Sequence, residues 1–408
     1  MKIRSITVFC QPSFPPNRLL LQQLGIFAGH ARTLYEQAGY EVESLRLATP
    51  PFATFLSPEN LVEAALTLAI ETHAEGFEYI SLGPVPTNRL ELLEPIPQVL
   101  AQTQNVFFSA QLTTPNHEVS LSAAQAAARL ICQLAQVEPN GFANLNFCAL
   151  ANVPAYAPFF PAAYAQAGAP AFALALEAAD LAEQAFSQAQ SLQAARIALI
   201  AKVENHAQKL EAISRKLTEI YGFACKGLDF TLAPYPAQGV SIATAMEALG
   251  LPAFGLHGSL FASAFLTNTL DQAHYLRTGF NGLMLPILED AGLAQRASEG
   301  LLSTSDLLLC SAVCGTGLDV IPLPGDATPE QLYPVLLDLA ALALRMEKPL
   351  TARLMPIPGK SASDPTSFNF DYFANSRVLA LKAQPLTHLL QGQESISIRA
   401  RILNQSMG

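Results

Sequence analysis

The sequence predicts an α/β protein whose strands fall into two half-units of five. Short runs of apolar, β-branched or aromatic residues alternate with longer segments of helical periodicity along the chain. Such alternation implies parallel sheet with right-handed crossovers. The half-units also resemble each other weakly, since residues 39–51 and 222–234 both begin with Gly-aromatic, continue as a strand and end at proline. We therefore expect an internal duplication, and ten strands fit an eight-unit (β/α)₈ barrel less well.

The first half-unit is predicted to span residues 1–173. Its five expected strands have the apolar composition typical of buried strands: 3–10, 40–48, 77–83, 105–111 and 146–152. One intervening helix is expected to begin at Ser57-Pro58, an N-cap followed by a first-turn proline, and to end at Gly76. An alanine-rich helix over 174–195 is expected to connect the half-units.

The second half-unit is predicted to span residues 196–328. Its five expected strands are again short apolar runs: 196–202, 222–232, 252–256, 282–287 and 307–313. An apolar stripe and a following Gly222 predict a helix over 205–221. Residues 329–408 are expected to pack on the half-units as a helix (330–346), a strand and an alternating tail.

Composition and charge exclude several classes of function. Half of the residues are hydrophobic and 14% are charged, which points to extensive burial or to an oligomer interface. A net charge of −10 without a basic cluster argues against nucleic acid or an anionic membrane as a partner. No apolar run approaches the ~18 residues of a spanning helix. Because no signal peptide is apparent, we expect a cytoplasmic protein with reduced cysteines.

Two similar turns are the clearest indication of a site. Pro322–Gly325 and Pro356–Gly359 share a Pro-x-Pro-Gly pattern, followed by Asp326 in one copy and Lys360 in the other. Each pattern predicts a strand that runs into a rigid turn, because proline fixes φ and glycine permits positive φ. Rigid turns at strand ends often carry the chemistry of α/β proteins. Asp326 and Lys360 would either hold a substrate or form a salt bridge between the turns.

Glycines near these turns predict anion binding without a nucleotide motif. Gly315, Thr316 and Gly317 form either a tight turn or a cradle of backbone N–H groups for a phosphate or carboxylate. A dinucleotide fingerprint would need a third glycine where Val320 stands, so we expect no NAD site. Gly359-Lys360-Ser361 lacks the earlier glycine of a P-loop.

Charged side chains at the ends of the second-half strands are candidates for acid–base chemistry. Asp319 is a candidate acid or base, with Lys360 as an anion clamp or proton shuttle. Arg353 stands in an apolar strand and needs a carboxylate partner or an anionic ligand. Ser259 is a candidate substrate contact. In contrast, Glu289-Asp290 fits the start of a helix at 291–301.

A divalent metal and a reactive thiol are further candidates. Asp229 and His257 would be ligands of a divalent metal, since the carboxyl ends of neighbouring parallel strands converge on one crevice. The alternative is that Asp229 caps a helix and His257 is a core histidine. Cys314 is a candidate nucleophile or radical carrier, and the alternative is an inert buried thiol.

Several longer motifs, in this order, resemble an uncharacterised bacterial and archaeal family, domain of unknown function 711. The resemblance covers nearly the whole chain and rests on these runs: ANVPAYAPFFPAAY, DFTLAPYP, GLMLPILED, LAQRASEG, CSAVCGTGLDVIPLPGD, KPLTARLMPIPGK and FDYFANSRV. That family is similar in fold to pyruvate formate-lyase and related glycyl radical enzymes. The resemblance implies a ten-stranded β/α barrel of two five-stranded parallel halves set antiparallel, and a homodimer.

The chemistry of glycyl radical enzymes does not carry over with the fold. Their radical glycine stands near the C-terminus in an Arg-x-x-Gly-aromatic setting. Here Arg277-Thr278-Gly279-Phe280 is one residue short and lies upstream of the cysteine turn. Cys314 occupies a place like that of the radical cysteine, but the C-terminal residues contain no glycine loop.

Three functional hypotheses follow from the sequence. The first is an enzyme that acts on a small anionic metabolite by acid–base chemistry, with or without a metal. The second is a non-catalytic binding or regulatory protein on the same scaffold, which predicts a pocket without perturbed titrating groups. The third keeps radical chemistry, with a partner protein that supplies the glycyl radical.

Overall fold

A large sheet forms the centre of the computed structural model, which describes residues 1–313 and 315–400. The strands of the described residues are β1 (Lys2–Phe9), β2 (Leu45–Ala48), β3 (Tyr79–Val85), β4 (Val106–Gln111), β5 (Glu118–Ser120), β6 (Phe147–Ala151), β7 (Ala171–Glu177), β8 (Ala224–Ala233), β9 (Gly317–Pro324), β10 (Leu350–Ile357) and β11 (Ser395–Ser397). Nine of them form one sheet in the order β8-β7-β1-β2-β3-β4-β6-β10-β9. The other two, β5 and β11, pair with each other.

The large sheet consists of two parallel groups of strands that meet antiparallel. The first group, β1, β2, β3, β4 and β6, is parallel throughout. The pairs β7–β8 and β9–β10 are parallel as well. The two groups join through the antiparallel pairs β1–β7 and β6–β10. The described residues therefore form a mixed α/β fold around a mostly parallel sheet.

Helices connect most of the strands and supply much of the surrounding core. They are α1 (Arg18–Gln37), α2 (Leu61–Ala74), α3 (Ile96–Leu100), α4 (Leu121–Leu134), α5 (Ala179–Ser187), α6 (Leu192–Tyr221), α7 (Ile242–Glu247), α8 (Ser259–Asp271), α9 (Ala291–Ser298), α10 (Thr304–Val313) and α11 (Pro329–Arg345). Within the described residues, no helix has both the length and the apolar character that crossing a bilayer requires.

An irregular segment, residues 276–287, lies between the two end strands of the sheet. The amide of Leu228 in β8 donates to the Leu276 carbonyl at 2.8 Å, and the amide of Met284 donates to the Thr231 carbonyl. On the other side, the Ile287 amide donates to the Asp319 carbonyl in β9. The segment therefore bonds to both β8 and β9 without forming a regular strand of its own.

Most of the predicted strands are confirmed, and so are the positions of the two Pro-x-Pro-Gly turns at strand ends. All five first-half strands are present, although β2 begins five residues later than predicted, at Leu45, and the strand predicted at 222–232 is β8. The two Pro-x-Pro-Gly segments end β9 and β10, which are parallel neighbours with Pro324 opposite Ile357. The helix predicted at 330–346 is α11.

Two predicted strands are wrong because they lie inside helices. Residues 196–202 belong to α6, which Ser191 caps and a left-handed Gly222 terminates. Residues 307–313 belong to α10, where Leu307, Cys310 and Ser311 are buried at helical spacing. A short apolar run fits one face of a helix as well as a buried strand, so periodicity alone does not separate the two.

The connecting helix predicted over 174–195 is replaced in part by a strand. Residues 171–177 form β7, whose seven side chains are all buried, and the helix α5 follows at Ala179–Ser187. Alanine favours helix in isolation, but tertiary burial outweighs that preference in a strand enclosed on both faces. The boundaries predicted at 173/174 and 195/196 therefore fall within β7 and α6.

The ten-stranded barrel expected from the resemblance is not confirmed. The described part of the chain contains a sheet of nine regular strands, and residues 252–256 contribute only a local bridge between Phe254 and Leu256. The helix predicted from Ser57 begins at Leu61 instead. The tail strand is present as β11 at Ser395–Ser397, although its residues are exposed rather than half-buried.

Candidate functional site

A cavity of about 560 Å³ opens where the first-group strands begin. Arg46, Tyr79 and Phe107 line it from the first two residues of β2, β3 and β4. Arg4 of β1 and Arg353 of β10 line it from their strands. Its volume lies within the range of small-molecule sites.

An ion-pair network crosses the wall of this cavity. Its members are Arg4, Glu43, Glu177, Glu289, Asp319 and Arg353. Arg4 is the hub on one side, because its guanidinium lies 3.2 Å from Glu177 and 3.0 Å from Glu289, with Glu43 at 3.7 Å. A partly buried guanidinium surrounded by three carboxyl groups is fully compensated.

Glu289 continues the network to the opposite strands. One of its carboxylate oxygens accepts from Arg4, and the other accepts from Arg353 at 2.9 Å. Arg353 also donates to Asp319 at 2.6 Å. The side chains of Glu289, Arg353 and Asp319 are each less than a tenth exposed, so their mutual pairing is what makes their burial tolerable.

Glu43 and Glu177 form a pair of carboxyl groups at one end of the network. The two side chains are close enough to share a hydrogen bond. Burial, together with the neighbouring charge of Glu43, raises the pKa of Glu177 to about 8. The Glu177 carboxyl therefore holds its proton more readily at neutral pH than an ordinary glutamate does. Its neighbour Glu43 lines the cavity.

Arg46 differs from the other cavity arginines because no carboxylate of the described residues forms an ion pair with it, and Glu43 and Glu289 act on its charge only at longer range. In the described residues no carboxylate lies within 4.0 Å of its guanidinium, and its Nε donates to Ser44 Oγ at 2.9 Å. The guanidinium carbon lies 5.6 Å from the Tyr79 ring centroid and 5.2 Å from that of Phe160. Burial and the charge of Arg4 lower the pKa of Arg46 to about 10, which still leaves it cationic at neutral pH.

The floor of the cavity is a loop that follows β6. The Pro158 carbonyl accepts from Thr7 Oγ1 at 2.8 Å, and the Ala163 carbonyl accepts from Ser81 Oγ at 2.8 Å. These bonds to β1 and β3 fix the loop against the sheet. As a result, Phe159 and Phe160 line the cavity with apolar surface.

A hairpin over residues 363–378 covers part of the cavity. Asn375 closes it, because its side chain accepts from Phe368 N at 2.7 Å and donates to the Phe368 carbonyl at 3.0 Å. Phe370 and Tyr372 at the tip line the cavity. The Arg4 guanidinium lies over the Tyr372 ring at 5.3 Å. This segment, the lid hairpin, therefore contacts the ion-pair network directly.

A second, small cavity of about 20 Å³ lies behind the phenylalanine floor. Asp319, Arg353, Thr316 and Cys148 all line it. Thr316 Oγ1 is buried and lacks a hydrogen-bond partner among the described residues. A space of this size accommodates one water molecule beside polar groups.

Of the site residues predicted from sequence, the structure pairs Arg353, which lines the cavity, with Asp319, which lines the small cavity behind it. Gly315, Thr316 and Gly317 lead into β9, where the Thr316 amide donates to the Leu283 carbonyl. A Cβ on Gly317 would overlap the Thr351 carbonyl, and its φ of +110° also requires glycine. This stretch therefore serves close strand packing.

Lys360 and Asp326 lie outside the cavity lining. Asp326 is exposed and Lys360 is partly buried, and no ion pair joins them within the described residues. The turns are instead joined through the backbone, where the Gly325 amide donates to the Lys360 carbonyl at 2.9 Å. Cys314 lies outside the described residues.

The remaining candidates have local structural partners. Asp229 is buried and accepts from the amides of Phe280 and Asn281 and from the Thr231 hydroxyl, and burial raises its pKa to about 6. His257 is exposed just before α8. Ser259 Oγ accepts from the Gly255 amide within that turn.

Two further findings concern metal ligands and helix caps. Within residues 1–313 and 315–400, no group of three or more His, Cys, Asp or Glu side chains is placed to hold a metal ion. The expectation that Glu289-Asp290 begins a helix is confirmed for Asp290. Its carboxylate accepts from Gly292 and Leu293 at the start of α9, and also from Ile242 at the start of α7.

Sequence reasoning missed four residues that build the site: Arg4, Glu43, Arg46 and Glu177. A signal was present for the two arginines. Each stands within an apolar strand, as Arg353 does, and a buried guanidinium needs an anionic partner. Glu177 gave no such signal, because it lay in a segment predicted to be helical.

Comparison with known proteins places the chain among widely distributed relatives. A family model described as Uncharacterised ACR (DUF711) matches residues 1–371. A protein of Pyrobaculum arsenaticum named UPF0210 protein is 30% identical over 357 residues, which cover 82% of this chain and 78% of the relative. A UPF0210 protein of Neisseria gonorrhoeae is 25% identical over 358 residues, 83% of this chain and 79% of the relative.

Proposed function

The chain belongs to the DUF711 family, and we propose that it is an enzyme that acts on a small anionic metabolite by acid–base chemistry inside the 560 Å³ cavity. One observation carries the proposal. The guanidinium of Arg46, which has no ion-pair partner among the described residues, lines the same cavity as Glu43, whose carboxyl group lies beside the raised-pKa carboxyl of Glu177. A fixed positive charge near a group that holds a proton is suited to binding an anion and transferring a proton to it.

Each group has a distinct role in this proposal. Arg46 binds the anionic group of the substrate through its terminal nitrogens. Glu43 donates or accepts the proton that it shares with Glu177. Arg4 positions both carboxyl groups through its ion pairs, and Arg353 holds Glu289 and Asp319 in place on the far wall.

The raised pKa of Glu177 favours an enzyme over a purely binding protein. A binding pocket has no need of a carboxyl group that retains its proton at neutral pH, whereas a general acid requires one. Burial without a fully compensating charge is costly, and such costs are concentrated at sites of chemistry. The divalent metal expected from sequence stays a prediction, and metal analysis of the purified protein checks it.

We also propose that the sheet closes into a ten-stranded barrel, with residues 276–287 as the tenth strand. Hydrogen bonds from this segment to both β8 and β9 support the proposal. Isolated parallel bridges also join Leu228 to Arg277 and Pro286 to Asp319. Closure would complete a second parallel group of five, and the ion-pair network and the cavity would then lie in the barrel interior.

An untargeted metabolite assay tests the enzymatic proposal. The protein is incubated with a deproteinised cell extract, and consumption of anionic compounds is followed by mass spectrometry. We expect the wild type to consume at least one anion, with consumption lost in Glu43→Gln and reduced in Arg46→Gln. Equal consumption by wild type and both variants would contradict the proposal. Retention of an anion without any consumption would favour the non-catalytic binding protein.

A further inference from the structure

The charges around the cavity restrict the class of ligand, provided that the proposed site is correct. Arg4 is paired with three carboxyl groups and Arg353 with two. Arg46 therefore provides the one guanidinium of the described cavity wall without a carboxylate partner. A ligand with one negative charge would give Arg46 a direct ion-pair partner.

A second negative charge on the ligand would be unfavourable. Apart from Arg46, the charged groups of the wall are compensated pairs or carboxylates, including Glu138, Glu43 and Glu289. A phosphate monoester carries about −1.5 to −2 at neutral pH, and a dicarboxylate carries two full charges. Each would place excess negative charge beside these carboxylates, where like charges repel.

The geometry around Arg46 suits a carboxylate in particular. Tyr79 and Phe160 pack on the guanidinium, and Ser44 Oγ accepts a hydrogen bond from its Nε. The terminal nitrogens remain for the ligand, and a planar guanidinium binds a planar carboxylate through two parallel hydrogen bonds.

The rest of the cavity wall is suited to an apolar body. Side chains without charge contribute much of the lining beyond Arg46: Leu100, Phe107, Phe142, Leu145, Phe159 and Met284. Aromatic rings pack favourably against an aromatic or branched ligand. We infer that the substrate of the proposed enzyme is a monocarboxylic acid with an apolar, ring-bearing or branched body, held by its carboxylate on Arg46.

A matched series of small molecules tests this inference on the wild-type protein. The reference probe is phenylacetate. Phenylacetamide lacks its charge, acetate lacks its ring, phenylmalonate has a second carboxylate, and phenyl phosphate replaces the carboxylate with a phosphate. Thermal shift and calorimetric titration at pH 7 measure their binding. We expect phenylacetate to bind at millimolar or lower concentration, and the other four to bind at least about tenfold more weakly.

The Arg46→Gln variant assigns the binding to the proposed site. Phenylacetate affinity should fall at least about tenfold in this variant and stay unchanged in Arg89→Gln, which alters a half-exposed arginine away from the cavity. Because Arg46 lacks a carboxylate partner, its replacement should leave the fold intact.

The outcomes separate the inference from the proposed function. Tighter, Arg46-dependent binding of phenylmalonate or phenyl phosphate would overturn the substrate class and leave the anion site standing. If acetate bound as tightly as phenylacetate, only the inferred apolar body of the substrate would be overturned. Absence of binding by every probe at millimolar concentration, or binding that Arg46→Gln leaves unchanged, would overturn the inference and count against the cavity as an anion site.

Discussion

Two arginines in the cavity wall, Arg46 and Arg353, differ in what compensates their charge. Arg353 is buried between Glu289 and Asp319, whereas Arg46 has aromatic neighbours and a serine hydroxyl. Burial therefore lowers the pKa of Arg46, while the two carboxylates raise the pKa of Arg353. A buried cation without a direct ion pair is a cost to stability that a site for an anion explains.

This difference predicts opposite effects of the same substitution. Arg353→Met should lower the free energy of unfolding by about 3–5 kcal/mol, because it leaves two buried carboxylates without a partner. Arg46→Met should leave that free energy unchanged or raise it, since no ion pair is lost. Urea unfolding of the ligand-free proteins measures both. A loss of several kcal/mol in Arg46→Met would show that Arg46 has a structural role.

The Glu177 carboxyl predicts a pH dependence of stability. Its folded-state pKa of about 8 lies above its ordinary value, so the folded state binds the proton more tightly than the unfolded state. The free energy of unfolding should therefore fall as pH rises towards 8. The fall should span the range from about pH 4.5 to about pH 8, approaching about 1.4 kcal/mol per pH unit in its middle.

Glu177→Gln should flatten the pH dependence between pH 6.5 and 8. Thermal or urea unfolding across that range measures the slope. Glu91→Gln is the matched control, because Glu91 is exposed and its pKa lies below its ordinary value. A slope that is the same in Glu177→Gln and wild type would contradict the assignment of the retained proton to this pair.

Sequence alone identified some of these residues for a physical reason. Arg353 was singled out because a charge within an apolar strand requires a partner, and the structure supplies Asp319 and Glu289. The same reason applies to Arg4 and Arg46. Sequence reasoning did not locate the cavity, because a strand pattern does not reveal which strands face each other across the sheet.

At the scale of elements, the lid hairpin is the segment most directly coupled to ligand access. Its tip residues Phe370 and Tyr372 line the cavity. Asn375 makes several of the bonds within the hairpin. The buried rings of Phe368 and Phe373 anchor its base against the rest of the molecule.

Asn375→Ala should loosen the lid hairpin without unfolding the protein. Loss of its bonds leaves the Phe368 amide without a partner, at a cost of about 1–3 kcal/mol confined to this segment. Hydrogen exchange of residues 363–378 should become faster, and phenylacetate should dissociate faster. Asn369→Ala, at an exposed position of the same hairpin, should leave both rates unchanged. Equal exchange in the two variants would contradict this account.

The elements that sequence analysis misassigned share a cause. The runs at 196–202 and 307–313 are apolar, yet α6 and α10 bury one face of each and expose Ile197 and Leu309. The opposite error occurred at 171–177, where an alanine-rich run forms the enclosed strand β7. In each case burial by the rest of the molecule decides the conformation, and a local pattern does not contain that information.

For the whole molecule, the proposed closure of the sheet depends on the contact between Asp229 and the turn at Gly279–Asn281. The Asp229 carboxylate accepts from the amides of Phe280 and Asn281. A Cβ on Gly279 would overlap this carboxylate, and Gly279 has a φ of +77°. A side chain at residue 279 would therefore weaken the contact that holds residues 276–287 against β8.

Gly279→Ala should destabilise the protein more than an alanine at an open glycine does. We expect a loss of about 2–4 kcal/mol, from the strained φ together with the displaced Asp229 carboxylate. Gly239→Ala has a similar φ of +82° with no atom near the added Cβ, so it should lose about 1 kcal/mol. Urea unfolding compares the two. Equal losses would show that the contact with Asp229 is unimportant for stability.

The parallel pairing of the strands was predictable, and their grouping was so only in part. The alternation of strands and helices and the weak duplication indicated two half-units, whereas the second parallel group takes β7 from before residue 196 and β10 from after residue 328. The tenth segment is irregular because Gly279 and Asn281 adopt positive φ, which no apolar run reveals. The homodimer stays a prediction, which light scattering of the purified protein checks.

A crystal structure of the protein grown with phenylacetate tests the central claim most directly. The account predicts the carboxylate within hydrogen-bond distance of the Arg46 terminal nitrogens, with the ring against Phe160 in the 560 Å³ cavity. A ligand held instead by Lys360 or at the Gly315–Gly317 turn, with the cavity unchanged, would contradict it.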